Sequence, residues 1–372
     1  GNNPAADNAE ITAVASGTMA DGNTVIVNAD GTVSVVEGVA EGAGTPVLFN
    51  NASTSYTAAT FDSNLNKVVI AYTDAGNSSY GTAIVGTVSG STISFGTEVV
   101  FDSASTIAYP AATFDSNSNK VVIAYNTTTQ CRAIVGTVSG TDISFGSPAA
   151  YDTSTGPWTS VTFDSNSNKV VVAYQDRGNS YRGGSIVGTV SGTGISFGSE
   201  VVFETGGFVV PRIVFDSNSN KVIIIYGLSS NVGKAIVGTV SGTSISYGTS
   251  VIFDSGASSA THALAAAFDS TQNKVIVSYI DTANSNYGTN IVGTVSDTSI
   301  SFGDKSVFES AEPEYISATF DSNASKTVLA YQDTGNGIKG TSAVFTVGST
   351  NLTDENFIGM ANGAAADGGR AR

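Results

Sequence analysis

The chain has 372 residues, of which 41% are hydrophobic and only 12% charged, and its formal net charge is −16. That length and apolar content allow a large core, and the acidic surface repels nucleic-acid phosphates and anionic membranes. One cysteine, Cys131, excludes an internal disulfide and a cysteine-rich metal site; it is expected as an inert or half-buried thiol.

Gly, Ser, Thr, Asn and Val dominate the composition, which favours short strands and frequent turns over helices. No apolar run has the length of a membrane-crossing helix, so no membrane insertion is expected. The opening GNNPAADNAE lacks the basic-then-apolar pattern of a secretory signal, as a processed product would. Further along, VNADGTVSVV reads as a hairpin with an Asp-Gly turn at Asp30–Gly31. Residues 1–44 are therefore expected to form a small β-rich attachment segment.

From Phe61 a phrase begins to recur. FDSNLNKVVIAY returns in related form with its Phe at 114, 163, 215, 268 and 320, at spacings of 53, 49, 52, 53 and 52 residues. A second phrase, IVGTVS, follows each of the first five copies and decays to AVFTVG at Ala343–Gly348 in the sixth. A third, ISFG or ISYG, ends at Gly96, Gly146, Gly198, Gly248 and Gly303, and VVF or a relative comes next. A period near 50 residues marks propellers, solenoids or arrays.

The second copy shows what one period holds. Tyr109–Asp115 reads as a first strand, Ser116–Asn119 as a polar turn, and Lys120–Tyr125 as a strand apolar on both faces. Ala133–Gly140 is a third strand, and Ile143–Phe145 leads into a fourth near Ala149–Tyr151. Four short antiparallel strands per period, buried on both faces by stacking, are a propeller blade. Solenoid coils carry fewer strands per repeat. The expected fold is all-β: a six-bladed β-propeller of four-stranded antiparallel blades over residues 45–350.

The sixth copy has its first three strands but lacks ISFG and VVF; STNLTDENF stands there instead. GTPVLFNNAS at Gly44–Ser53 matches GTEVVFDSAS at Gly96–Ser105, so Pro46–Asn50 is expected to complete the last blade and close the ring. ANGAAADGGRAR at Ala361–Arg372 repeats the character of ASGTMADGNTVI at Ala15–Ile26. Residues 351–372 thus read as the start of a C-terminal attachment segment, with a chain continuing past Arg372.

Two resemblances follow from these phrases. VSGTSISYG at Val240–Gly248 resembles the Ser-x-Asp-x-Gly-x-x-Trp turn after the third strand of sialidase-type propeller blades, with the Ser and an aromatic present and the Asp absent. The whole repeat, with its Ala-Asp-Gly-rich attachment segment, resembles repeats in tail-fibre and other virion structural proteins of marine bacteriophages, notably cyanophages. That resemblance implies a virion appendage or decoration at the virion surface, contacting other virion proteins and adsorbing to a host.

Catalytic chemistry finds little support. A sialidase needs an arginine cluster for a carboxylate; of the six arginines only Arg212 lies at the start of a first strand. The single histidine, His262, sits in SSATHALAAAF without a serine motif, so it reads as a loop or channel-rim residue. The Asp of each FDS, at 62, 115, 164, 216, 269 and 321, recurs in every blade, as a turn does and an active site does not. D-S-N-S-N loosely resembles a calcium loop in its alternate oxygens, but lacks the bend glycine and the distant Glu, so no metal and no cofactor are expected.

Candidate binding residues lie in the loops joining second and third strands. DAGNSSYG, DRGNSYRG, DTANSNYG and DTGNGIKG begin at Asp74, Asp176, Asp281 and Asp333. Five residues before each FDS Phe stand Tyr56, Tyr109, Trp158, Val210, Ala263 and Tyr315. Tyr56, Tyr109, Trp158 and Tyr315 are expected as an aromatic platform for a glycan or protein receptor, or as a plug at the ring's centre. The leading expectation is a non-enzymatic, homo-oligomeric virion protein presenting a propeller for host-surface or glycan binding. The rivals are a purely structural virion or filament subunit and a degenerate glycan hydrolase.

Overall fold

The structure, a computed structural model, describes residues 25–27, 33–35, 46–90, 92–156, 158–207, 209–258 and 263–348. His262, the Asp30–Gly31 turn, STNLTDENF and, of the two matching tails, residues 15–24 and 361–372 lie outside the described residues. The chain divides into two compact units, Gly1–Pro46 and Val47–Arg372. In the first, Val25–Val27 and Val33–Val35 pair antiparallel, the pairing that the expected hairpin calls for.

The second unit is a six-bladed β-propeller. Blade two shows the plan: Ala108–Asp115, Lys120–Asn126, Cys131–Ser139, Asp142–Phe145 and Ala149–Asp152. Both of the last two strands pair with Cys131–Ser139, one on each half of it. They are two pieces of one outer strand, broken at the Gly of ISFG. In blade five the same stretch runs unbroken as Ser299–Glu309. The glycine at the break sits where a Cβ would strike the next blade: at Gly146 it would lie 1.9 Å from the carbonyl oxygen of Thr193.

Each FDS turn is built by its own Asp. The Asp115 carboxylate accepts the amides of Asn117 and Ser118, both at 2.9 Å, and the Ser118 hydroxyl at 2.6 Å. Asp216 does the same for Asn218, Ser219 and the Ser219 hydroxyl. Asn119 and Asn220 close these turns at φ of 53° and 56°, in the left-handed region that Asn tolerates. Among the described residues no group of three or more His, Cys, Asp or Glu is arranged to hold a metal ion.

The core lies between blades. Val69, Ala71, Ala83 and Val85 of blade one pack on Val121, Ile123 and Tyr125 of blade two. Val122, Ala124 and Ala133 on the other face of blade two pack on Val170, Val172 and Tyr174 of blade three. This two-sided burial is why the second strands carry unbroken apolar runs. Burying a Val or Ile side chain contributes about 1.5–3 kcal/mol, so the seams dominate stability.

The sixth blade departs from the plan. Its described strands are Pro313–Asp321, Lys326–Asp333 and Lys339–Phe345, a three-stranded sheet. The segment Val47–Asn50 takes the fourth-strand position against blade one but forms no ladder with Lys339–Phe345 among the described residues. In blades one, three, four and five the fourth-strand Phe covers the glycine opening the third strand, as Phe101 covers Gly81. At Gly340 nothing lies within 4 Å of the place a Cβ would take. The apolar faces here stay open: Val344 is 66% and Phe61 53% exposed.

Candidate functional site

The aromatic positions of the first strands come together for four of the six blades. Tyr56, Tyr109, Trp158 and Tyr315 line one cavity of about 840 Å³, and Arg212 also belongs to its lining. Tyr56 and Tyr109 lie 4.3 Å apart between ring centroids, and Tyr109 and Trp158 4.5 Å apart at 66°. Blades six, one, two and three thus supply a contiguous aromatic arc. Blades four and five contribute buried Val210 and Ala263 at the matching positions.

Backbone geometry sets this arc. Tyr56, Tyr109 and Tyr315 have φ of 48°, 50° and 54°, a conformation that L-residues with large side chains rarely adopt. Each sits in a bulge, where pairing with the second strand slips between Ser55 and Ala58, Ala108 and Ala111, and Glu314 and Ser317. A bulge re-aims a side chain, and here it turns three phenols to the cavity. Blade four has no such slip, and Val210 pairs regularly with Gly227.

The rings are amphipathic and partly open. Tyr56 is 46% and Tyr315 60% exposed, while Tyr109 and Trp158 are half-buried. Burial, with Tyr56 beside it, pushes the Tyr109 phenol up to about 12, so it stays protonated and can donate. The Trp158 indole N–H is enclosed and donates to no described residue. Small and hydroxyl side chains of Thr57, Pro110, Thr159, Ser160 and Ser317 complete the lining. Arg212 donates from Nε to the Leu264 carbonyl at 2.9 Å and from Nη1 to the Pro211 carbonyl at 2.9 Å. Burial pulls it down to about 10, still above neutrality.

The four loop carboxylates do not join the arc; none lines its cavity. They are buried and hold their own loops. Asp74 accepts the Gly76 amide at 3.0 Å, Asp281 the Ala283 amide at 3.0 Å and Asp333 the Asn336 amide at 3.0 Å. Asp176 accepts the Asn179 amide at 3.1 Å and Arg182 Nε at 3.0 Å. One of these loops touches a connector between blades: the Ala75 amide donates to the Ser53 carbonyl at 2.9 Å. Cys131 is fully buried, not half-buried, because it stands in the glycine position beneath Tyr151.

The fold and this cavity define a β-propeller with an aromatic-mouthed central channel. No protein-family model matches the sequence, and no curated protein does. Solved structures match across the ring. The BP39L lectin from Burkholderia pseudomallei aligns with a TM-score of 0.57 at 10% identity, over 78% of this chain and 81% of that one. The periplasmic gluconolactonase PpgL of Pseudomonas aeruginosa aligns at 0.51 and 12%, over 79% and 86%. The Hadza microbial sialidase Hz136 aligns at 0.51 and 10%, over 78% and 65%. At such identities the likeness is one of fold.

Proposed function

We propose that the chain is a non-enzymatic carbohydrate-binding propeller displayed on a virion appendage, with the aromatic arc as its glycan platform. The observation that carries this reading is the arc itself: three tyrosines held in a costly backbone conformation beside a tryptophan, at the mouth of one cavity. Aromatic faces stack on the apolar faces of sugar rings, and phenol, indole and hydroxyl groups nearby bond their hydroxyls. A lectin among the fold neighbours is consistent with this.

The non-enzymatic part rests on the chemistry of the cavity. Its described lining holds one arginine and no carboxylate, so it offers neither an acid–base pair nor an arginine cluster. The virion setting rests on the resemblance of the repeat to phage fibre proteins, with the terminal segments serving attachment and homo-oligomerisation. The test is a glycan array and host-cell binding with the full chain, beside Trp158→Ala and Tyr109→Ala. Saturable binding that both variants lose supports the reading. A folded protein that binds neither glycans nor cells is a structural subunit instead.

A further inference from the structure

At five seams a fourth-strand acid of one blade faces the second-strand Tyr of the next. Four of these tyrosines donate to their acid: Tyr125 to Asp102 at 2.8 Å, Tyr226 to Glu204 at 3.2 Å, Tyr279 to Asp254 at 2.5 Å and Tyr331 to Glu309 at 3.0 Å. Three of the acids also hold a cation from the chain: Arg132 on Asp102 at 3.1 Å, Lys234 on Glu204 at 2.7 Å, and Lys305 on Asp254.

The seam between blades two and three breaks this rule twice. Arg132, Gly184 and Lys234 occupy the same register, opposite Ala150, Val202 and Ile252 of their outer strands. So Gly184 stands where the neighbouring blades place a cation, and the acid at this seam, Asp152, has none. Tyr174, though only 1% exposed, makes no hydrogen bond to any described residue, and it lines a pocket of about 330 Å³ with Asp152, Asp176, Asn179 and Glu200. The one nearby arginine is engaged: Arg182 holds Asp176 at 3.0 Å and Glu200 Oε2 at 2.5 Å. Glu200 Oε1 is enclosed without a hydrogen-bond partner. Asp152 receives only the Ser154 amide and hydroxyl, both on Oδ1, at 2.8 and 3.0 Å.

We propose that this seam pocket binds a small organic cation, a primary alkylammonium or a guanidinium, in the place that Arg132 and Lys234 fill in the adjoining blades. Its N–H groups donate to Asp152 and Glu200 Oε1, and the Tyr174 hydroxyl completes the cage. An organic cation fits better than a metal ion, because these carboxylates do not converge on a metal-holding arrangement. Burial raises the Asp152 and Glu200 carboxyls above their ordinary values, consistent with anions that lack a full complement of partners.

The test is calorimetric titration of the full chain with n-butylammonium and N-methylguanidinium, against tetramethylammonium at equal ionic strength, which has no N–H to donate. One-site binding of the first two at least tenfold tighter than tetramethylammonium is expected. Gly184→Lys should abolish that binding and raise the melting temperature; a Cβ there meets mainly the movable Glu200 carboxylate, at 2.3 Å. Asp152→Asn should weaken binding at least tenfold, and it serves as the test if the lysine variant does not fold. Nα-acetyl-lysine amide separates the sources: tighter binding than butylammonium assigns the cation to a polypeptide, equal binding to a free amine. Equal affinity for tetramethylammonium, or undiminished binding in both folded variants, overturns the proposal.

Discussion

Phe49 meets Tyr72 edge-on, with ring centroids 5.2 Å apart at 64°. The same contact joins Phe101 to Tyr125 at 5.2 Å and 64°, and Phe308 to Tyr331 at 5.2 Å and 65°. Phe49 precedes the first blade in the chain yet occupies the place of the last blade's fourth-strand Phe. It repeats the inter-blade aromatic contact at the one seam that sequence order leaves unjoined.

Phe49→Ala should therefore destabilise the propeller by about 2 kcal/mol, less than the roughly 3–5 kcal/mol expected for Phe203→Ala at a completed seam. The difference follows from cover: Phe203 seals Gly183 and is 8% exposed, whereas Phe49 is half-buried and leaves Gly340 open. Urea unfolding of both variants checks the order of the two losses.

Tyr109→Gly tests the strain at the arc. It removes ring contacts worth about 0.5–1.5 kcal/mol and relieves a left-handed conformation that costs roughly 1–2 kcal/mol for a non-glycine residue. Stability should stay within about 1 kcal/mol of the parent while glycan binding is lost. Tyr125→Ala, in a fully buried position, should cost at least about 3 kcal/mol. Denaturant midpoints beside array binding separate the two roles.

Cys131 should not react in the folded protein. Burial, with Asp152 nearby, pushes its thiol up to about 12, so at pH 8 almost none is thiolate. A disulfide reagent at pH 8 should label less than a tenth of the protein over hours in buffer and all of it within minutes in urea.

Asp254 ties stability to pH. Burial alone would raise its carboxyl, but bonds from Lys305 and Tyr279 outweigh that and hold it below its ordinary value of 3.8. A carboxyl lowered by folding adds stability that is complete above its unfolded value and disappears as pH falls through the folded one. Asp254→Asn should thus cost roughly 2 kcal/mol at pH 7, and the gap from the parent should narrow below about pH 4. Melting curves from pH 3 to 7 measure it.

Much of this architecture is legible in one dimension. Strands and turns rest on local chemistry: short apolar runs between polar turns, Asp caps on the FDS turns, and Asn able to enter the left-handed region. A period repeated six times multiplies those signals, so blades and strand order follow from the sequence. The missing cation at Gly184 is also visible once IVGTVS phrases are aligned, because register within a blade is fixed by pairing.

What the tertiary structure decided is which side chains meet. Asp74, Asp176, Asp281 and Asp333 read as binding residues by composition, but burial within their loops turns them onto their own amides. Tyr56, Tyr109 and Tyr315 reach one cavity from bulges that slip the first strands of three blades, and blade four, with the same repeat, does not slip. Val47–Asn50 matches a fourth strand by sequence, yet among the described residues it forms no ladder with blade six. Local sequence determines the backbone's conformation within a blade; convergence between blades is a property of the ring, set by packing among residues hundreds of positions apart.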